Sequence, residues 1–150
     1  PYMLGALKKA RDMNAKTALI TSNPAASAQV DILIAPDTGA EVLPGSTRLK
    51  AGTAAKLILN MISTGAMAQA GYVYQGRMVN MTPANEKLRE RAQRIVAEIS
   101  GSSREEASHR LDACNYHISE AIIMAKYNLS AEEAATRLQN HNGHLREALK

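Results

Sequence analysis

The sequence predicts an α/β unit built on parallel strands, followed by a small helical bundle. Three observations carry this. Two short apolar runs, Lys16–Ser22 and Asp31–Ala35, have the length and composition of buried strands. A long apolar segment, from Leu49 to about Ala70, follows them with helical spacing. The last third repeats itself with helix-start signals in each copy.

Taken in order, Leu4, Leu7, Lys8, Ala10 and Arg11 have helical spacing, and Asn14 suits a C-terminal stop. The first strand ends in the turn signal Ser22-Asn23-Pro24, and Ala25–Gln29 has room for one helical turn before the second strand. Such strands normally lie parallel in a sheet covered on both faces. Two strands make a poor sheet. The chain also enters directly into helical pattern at Pro1-Tyr2-Met3-Leu4, so further strands are expected before Pro1.

Between the second strand and the long helix lies the stretch that speaks about chemistry, Gly39-Ala40-Glu41-Val42-Leu43-Pro44-Gly45-Ser46-Thr47-Arg48-Leu49-Lys50. A strand, a loop and a helix N-terminus are the parts α/β proteins use to hold anions, because first-turn N–H groups and the macrodipole favour negative charge there. Ser46 and Thr47 can cap the helix or donate to a phosphate, and Arg48 and Lys50 add charge. Glu41 either accepts a ligand hydroxyl, acts as a base, or is a solvated loop carboxylate. Spacing alone does not choose among a sugar phosphate, a nucleotide and a sulfate. Ala51, Gly52, Ala54 and Ala55 allow close backbone approach, to a ligand or to another helix.

Beyond the long helix, Tyr72–Met81 alternates around Gln75-Gly76, as in a short hairpin or an extended arm. Thr82 as N-cap and Pro83 at the first helical position then open a helix. Its apolar face is Leu88, Ala92, Ile95, Val96 and Ile99, and it ends at Ser100-Gly101. The tail repeats at an offset of 27 residues: Ser103-Arg104-Glu105-Glu106-Ala107 matches Ser130-Ala131-Glu132-Glu133-Ala134, and Asn115 to Ala121 matches Asn142 to Ala148. Each copy opens with a Ser-x-x-Glu capping box.

Composition narrows the function classes. The chain has 150 residues, 45% apolar content and a formal charge of +4, with Lys and Arg scattered among carboxylates and no Phe or Trp. A nucleic-acid binder would gather its cations on one stripe, with aromatics for stacking, so no nucleic-acid partner is expected. No apolar run approaches 18 residues, so no membrane partner is expected either. Cys114 stands alone, which suits a reducing cytoplasm. His109, His117, His141 and His144 lack metal-ligand spacing; His117 and His144 are repeat equivalents placed after turns, where capping or packing explains both. Met61, Met67, Met78, Met81 and Met124 are read as core fillers in place of aromatics.

The run Glu41-Val42-Leu43-Pro44-Gly45-Ser46-Thr47-Arg48-Leu49-Lys50-Ala51-Gly52-Thr53-Ala54-Ala55-Lys56-Leu57, with Leu59-Asn60-Met61-Ile62-Ser63-Thr64-Gly65 after it, resembles the signature of the N-acetylmuramic acid 6-phosphate etherases. That family is related to the glucokinase regulatory proteins within the sugar isomerase (SIS) fold. Met78-Val79-Asn80 and Pro83-Ala84-Asn85-Glu86-Lys87-Leu88 are similar to the segment that follows the signature, and the repeat resembles the family's UBA-like helical region. Ala40, Pro44 and Ala55 stand where proline, threonine and glutamine are common, whereas Glu41, Ser46, Thr47 and Lys50 are kept.

The resemblance implies an α/β fold: the C-terminal half of a SIS-type parallel-sheet sandwich (residues 1–82), a connecting helix (83–101) and a UBA-like helical domain (102–150). It implies a cofactor-free lyase of peptidoglycan recycling that gives N-acetylglucosamine 6-phosphate and D-lactate. The chemistry would be loss of the C2 proton, elimination of lactate from C3 and addition of water. Ser46, Thr47 and Lys50 are expected to position the sugar phosphate and Glu41 to hydrogen-bond it. The catalytic acid and base are expected before Pro1, so these residues alone would be inactive. A cytoplasmic homodimer is expected. The alternatives are a non-catalytic sugar-phosphate-binding regulator of the glucokinase regulatory type and, for the tail, an independent protein-interaction module.

Overall fold

The computed structural model describes residues 2–150. They form a mixed α/β chain, rich in helix and with two small sheets. Two compact units result, one running to Ser63 and the other covering Thr64–Lys150.

In the first unit, α1 (Tyr2–Asp12) leads to β1 (Ala18–Ile20), which pairs in parallel with β2 (Ile32–Ile34) in the register Ala18 to Ile32. Asn14 ends α1 with φ of 57°, the left-handed conformation a helix stop uses. The helical turn expected at Ala25–Gln29 does not form. Asn23 instead accepts from the Ala25 N–H through its side chain, while the Ala26 N–H bonds the Asn23 carbonyl. An Asx turn satisfies those amides at once, whereas an isolated helical turn carries the cost of nucleation.

Asp31 locks the start of the sheet. Its carboxylate accepts from the Thr17 backbone N–H at 2.8 Å, the Thr17 hydroxyl at 2.9 Å and Lys16 Nζ at 3.1 Å. The Thr17 amide above all, then Lys16 and the Thr17 hydroxyl, pull the carboxyl from its ordinary 3.8 to about 2. A depressed folded-state value stabilises above the unfolded value and is lost as pH falls through the folded one. The β1–β2 pairing should therefore hold at neutral pH and loosen between about pH 4 and pH 2. Following the Asp31 carboxyl and the Thr17 amide by NMR checks this; a midpoint at the ordinary value would contradict it.

α2 (Lys50–Gln69) crosses the division between the units. In the second unit, β3 (Val73–Tyr74) and β4 (Arg77–Met78) form the hairpin read around Gln75-Gly76. Both turn residues have positive φ, 47° and 72°, as a two-residue type I′ turn requires. α3 (Glu86–Ser100) begins later than expected: its N-cap is Asn85, whose side chain accepts from the Leu88 N–H, and not Thr82. Residues 79–84 stay out of the helix because Val79 is buried and its carbonyl accepts from the Ser119 hydroxyl at 3.1 Å.

The repeat folds as α4 (Arg104–Ala113) and α5 (Ile118–Tyr127), then α6 (Ala131–Asn140) and α7 (Leu145–Ala148). Both capping boxes form, Ser103 with Glu106 and Ser130 with Glu133. Asn115 and Asn142 turn the chain with φ of 51° and 53°. The core is concentrated here. Ala92, Ile95 and Val96 of α3, spaced i, i+3, i+4, meet Ala107 and Leu111 of α4 and most of α5. The repeat is also a packing repeat, since Ala107 and Ala134, Ile118 and Leu145, and Ala121 and Ala148 are equivalent pairs and all buried. Alanine at these crossings lets the helices approach closely.

The methionines split. Met124 is buried and Met81 packs against the core, but Met61, Met67 and Met78 are exposed and do not fill it. No helix among the described residues is long and apolar enough to cross a membrane.

Candidate functional site

The loop before α2 is built by local rules. Leu43-Pro44-Gly45-Ser46 is a β-turn closed by the Ser46 N–H on the Leu43 carbonyl at 3.0 Å. Pro44 presets φ at the second position, and Gly45 supplies the φ of +82° that a type II turn demands at the third. Ser46 and Thr47 follow, and the chain enters α2 at Lys50.

The helix N-terminus is not open. Glu41 reaches it with both oxygens, accepting from the Lys50 N–H at 2.9 Å and the Ala51 N–H at 3.0 Å. The Gly52 N–H bonds the Thr47 carbonyl at 2.8 Å, and the Thr53 N–H bonds the Leu49 carbonyl at 3.0 Å. All four first-turn donors are thus satisfied within the chain. The anion that the macrodipole favours is the protein's own carboxylate. These amides, chiefly that of Ala51, hold the Glu41 carboxyl below the usual carboxylate range. Gly52 explains one of the small residues: a Cβ there would lie 3.3 Å from the Thr47 carbonyl oxygen, so glycine admits the loop rather than another helix.

What remains available is side-chain chemistry. Among the described residues, the hydroxyls of Ser46 and Thr47 and the ammonium of Lys50 have no hydrogen-bond partner. Lys50 borders an open hollow of about 560 Å³ lined also by Arg48, Leu49, Thr53, Ala54 and Leu57. Ser46 and Thr47 precede that hollow and do not line it. Glu41 therefore braces the helix that presents Lys50. Sequence reasoning missed this role because the brace spans nine residues, beyond the reach of a capping box.

Replacing Glu41 by alanine should fray this turn, with amide exchange at Lys50 and Ala51 about tenfold faster. Unchanged protection at both would show that the carboxylate does not hold them.

Elsewhere, the groups considered for chemistry have structural duties. Cys114 is buried, its thiol faces the Leu111 and His117 carbonyls, and burial pushes it up to about 11, far from a reactive thiolate. His117 and His144 occupy the N-cap positions of α5 and α7, but neither side chain makes the cap hydrogen bond.

No protein-family model matches the chain. Over 99% of its length it is 48% identical to N-acetylmuramic acid 6-phosphate etherase 2 of Vibrio parahaemolyticus, covering 50% of that protein. It is 49% identical to the N-acetylmuramic acid 6-phosphate etherase of Photobacterium profundum and 47% identical to that of Yersinia pestis, again over 99% of the chain. The chain is related to the N-acetylmuramic acid 6-phosphate etherases. It spans about half the length of the etherases it matches. The resemblance carried by Glu41, Ser46, Thr47 and Lys50 thus extends to the whole chain, the helical repeat included.

Proposed function

We propose that the protein carrying this chain is an N-acetylmuramic acid 6-phosphate etherase, a carbon–oxygen lyase. It would release D-lactate and leave N-acetylglucosamine 6-phosphate, without a cofactor. The observation that carries this is the 47–49% identity to proteins of that name along 99% of the chain. In this reading Ser46, Thr47 and Lys50 form one wall of the sugar-phosphate site. The hydroxyls donate to phosphate or sugar oxygens and the ammonium offsets phosphate charge. Glu41 holds the helix that carries Lys50, and its hydrogen-bonding role toward the sugar passes through that support.

Abstracting the C2 proton and expelling lactate need a base and an acid tuned toward neutral pH. The first unit's shifted carboxylates, Asp31 and Glu41, are both shifted downward, the wrong direction for that work. As the resemblance implies, the reading places the acid and base in the etherase half that this chain does not span, and these residues alone would be inactive. It also takes the strands as part of a SIS-type sheet ending near residue 82, residues 83–101 as a connecting helix, residues 102–150 as a UBA-like domain, and the working protein as a cytoplasmic homodimer.

Measuring D-lactate release from N-acetylmuramic acid 6-phosphate by the full-length protein tests the proposal. Release is expected. Tight binding of the phosphosugar with no lactate would favour the regulator reading.

A further inference from the structure

We propose that the cleft between the β3–β4 hairpin and α3 binds a small, multiply charged phosphate compound; this stands on the second unit alone, independent of the etherase reading. The cleft has a volume of about 710 Å³, within the range of small-ligand sites. Five cations line it, Arg77, Lys87, Arg91, Arg94 and Arg104. Against them stand two carboxylates, Glu90 and Glu98, so five minus two leaves three positive charges on the lining. Glu98 is already committed, to Arg77 at 2.8 Å. Among the described residues, Lys87, Arg91, Arg94 and Arg104 have neither an ion pair nor a side-chain hydrogen bond.

An amphipathic helix ordinarily carries solvated charge on its outer face. Here the arrangement goes further. Lys87, Arg91 and Arg94 are spaced i, i+4, i+7 and stand in one row on α3, where like charges repel. Arg77 comes to that row from the hairpin, and Arg104 from the first position of α4, where the helix dipole disfavours a cation. Three elements converge their positive charge, and among the described residues that line the cleft only Glu90 and Glu98 offset it. A bound polyanion would. Guanidinium forks match phosphate oxygens in pairs, and four of the five cations are arginine. The bounded volume and the absence of any aromatic on the lining favour a small ligand over a nucleic-acid strand.

The test titrates the full-length protein with pyrophosphate at low ionic strength, by calorimetry and by thermal unfolding, with sodium chloride matched for ionic strength as control. Binding tighter than about 1 mM is expected, weakening as salt rises. The pair Arg91→Gln with Arg94→Gln should weaken it about tenfold or more and abolish the pyrophosphate-specific rise in melting temperature, without lowering the melting temperature of the free protein. Arg104→Gln alone should weaken it less and in the same direction. Equal binding by wild type and both variants, a rise reproduced by sodium chloride, or binding of a DNA duplex without binding of pyrophosphate would each overturn the proposal.

Discussion

Ile122→Ala should lower the unfolding free energy of the helical unit by about 3 kcal/mol, roughly a 15 °C fall in its melting temperature. Ile122 is fully buried on α5, the helix that packs against α3, α4 and α6. Truncation removes three carbons from a core cluster that also holds Ala92, Ala107, Ala121 and Ala134, all at 0% exposure. Alanines have no side chain to swing into the gap, so the cavity stays open and the cost lies well inside the range for such changes. Ile122→Val should cost only about 1 kcal/mol. Chemical denaturation of both variants checks the pair; equal midpoints would mean that the α5 core is loosely packed.

Gly71→Ala should cost about 2 to 3 kcal/mol through two separate effects. Gly71 sits at φ of +81°, where an L side chain is strained by about 1 to 2 kcal/mol. A Cβ there would also meet His144, at 2.9 Å from Nδ1 and 3.3 Å from Cα. The imidazole can rotate away, but the Cα cannot, because His144 is followed directly by Leu145, at 1% exposure. A His144→Ala background removes only the imidazole contact, so the same substitution should cost less there by about 0.5 kcal/mol, the value of moving that ring off its rotamer, while the strain from φ and the contact with the Cα remain. A double-mutant cycle by denaturation measures this coupling. Strict additivity would show that the His144 imidazole does not press on Gly71.

Much of the second unit was legible in the sequence because its signals are local. Ser103 with Glu106 and Ser130 with Glu133 are three residues apart and need no knowledge of the fold. The repeat then doubled every inference, down to the equivalent buried pair Ile118 and Leu145. The start of α3 was harder. Thr82, Pro83 and Asn85 all carry helix-start chemistry, and the choice of Asn85 follows from the anchoring of Val79 by Ser119, forty positions away in sequence. Met61, Met67 and Met78 were misread for a related reason: apolar spacing shows that a face is apolar, not what packs on it. Met61 has helical spacing yet is 65% exposed.

The candidate site was legible in its residues and less so in its wiring. Pro44 and Gly45 announced a turn, and Ser46, Thr47 and Lys50 stand where the strand–loop–helix order put them. The open anion hole did not survive. Glu41 fills it, so the first-turn amides are taken and what the loop still offers is the Lys50 ammonium and the two hydroxyls.

That shift makes Lys50→Ala the most direct test of the loop's role. The substitution removes the ammonium but keeps the backbone N–H that Glu41 caps, so the helix start is preserved. In the full-length protein, kcat/KM for D-lactate release from N-acetylmuramic acid 6-phosphate should fall about 10- to 100-fold, the value of one charged hydrogen bond to phosphate, with folding unchanged. A kcat/KM within twofold of wild type would contradict the assignment of this loop to the substrate site.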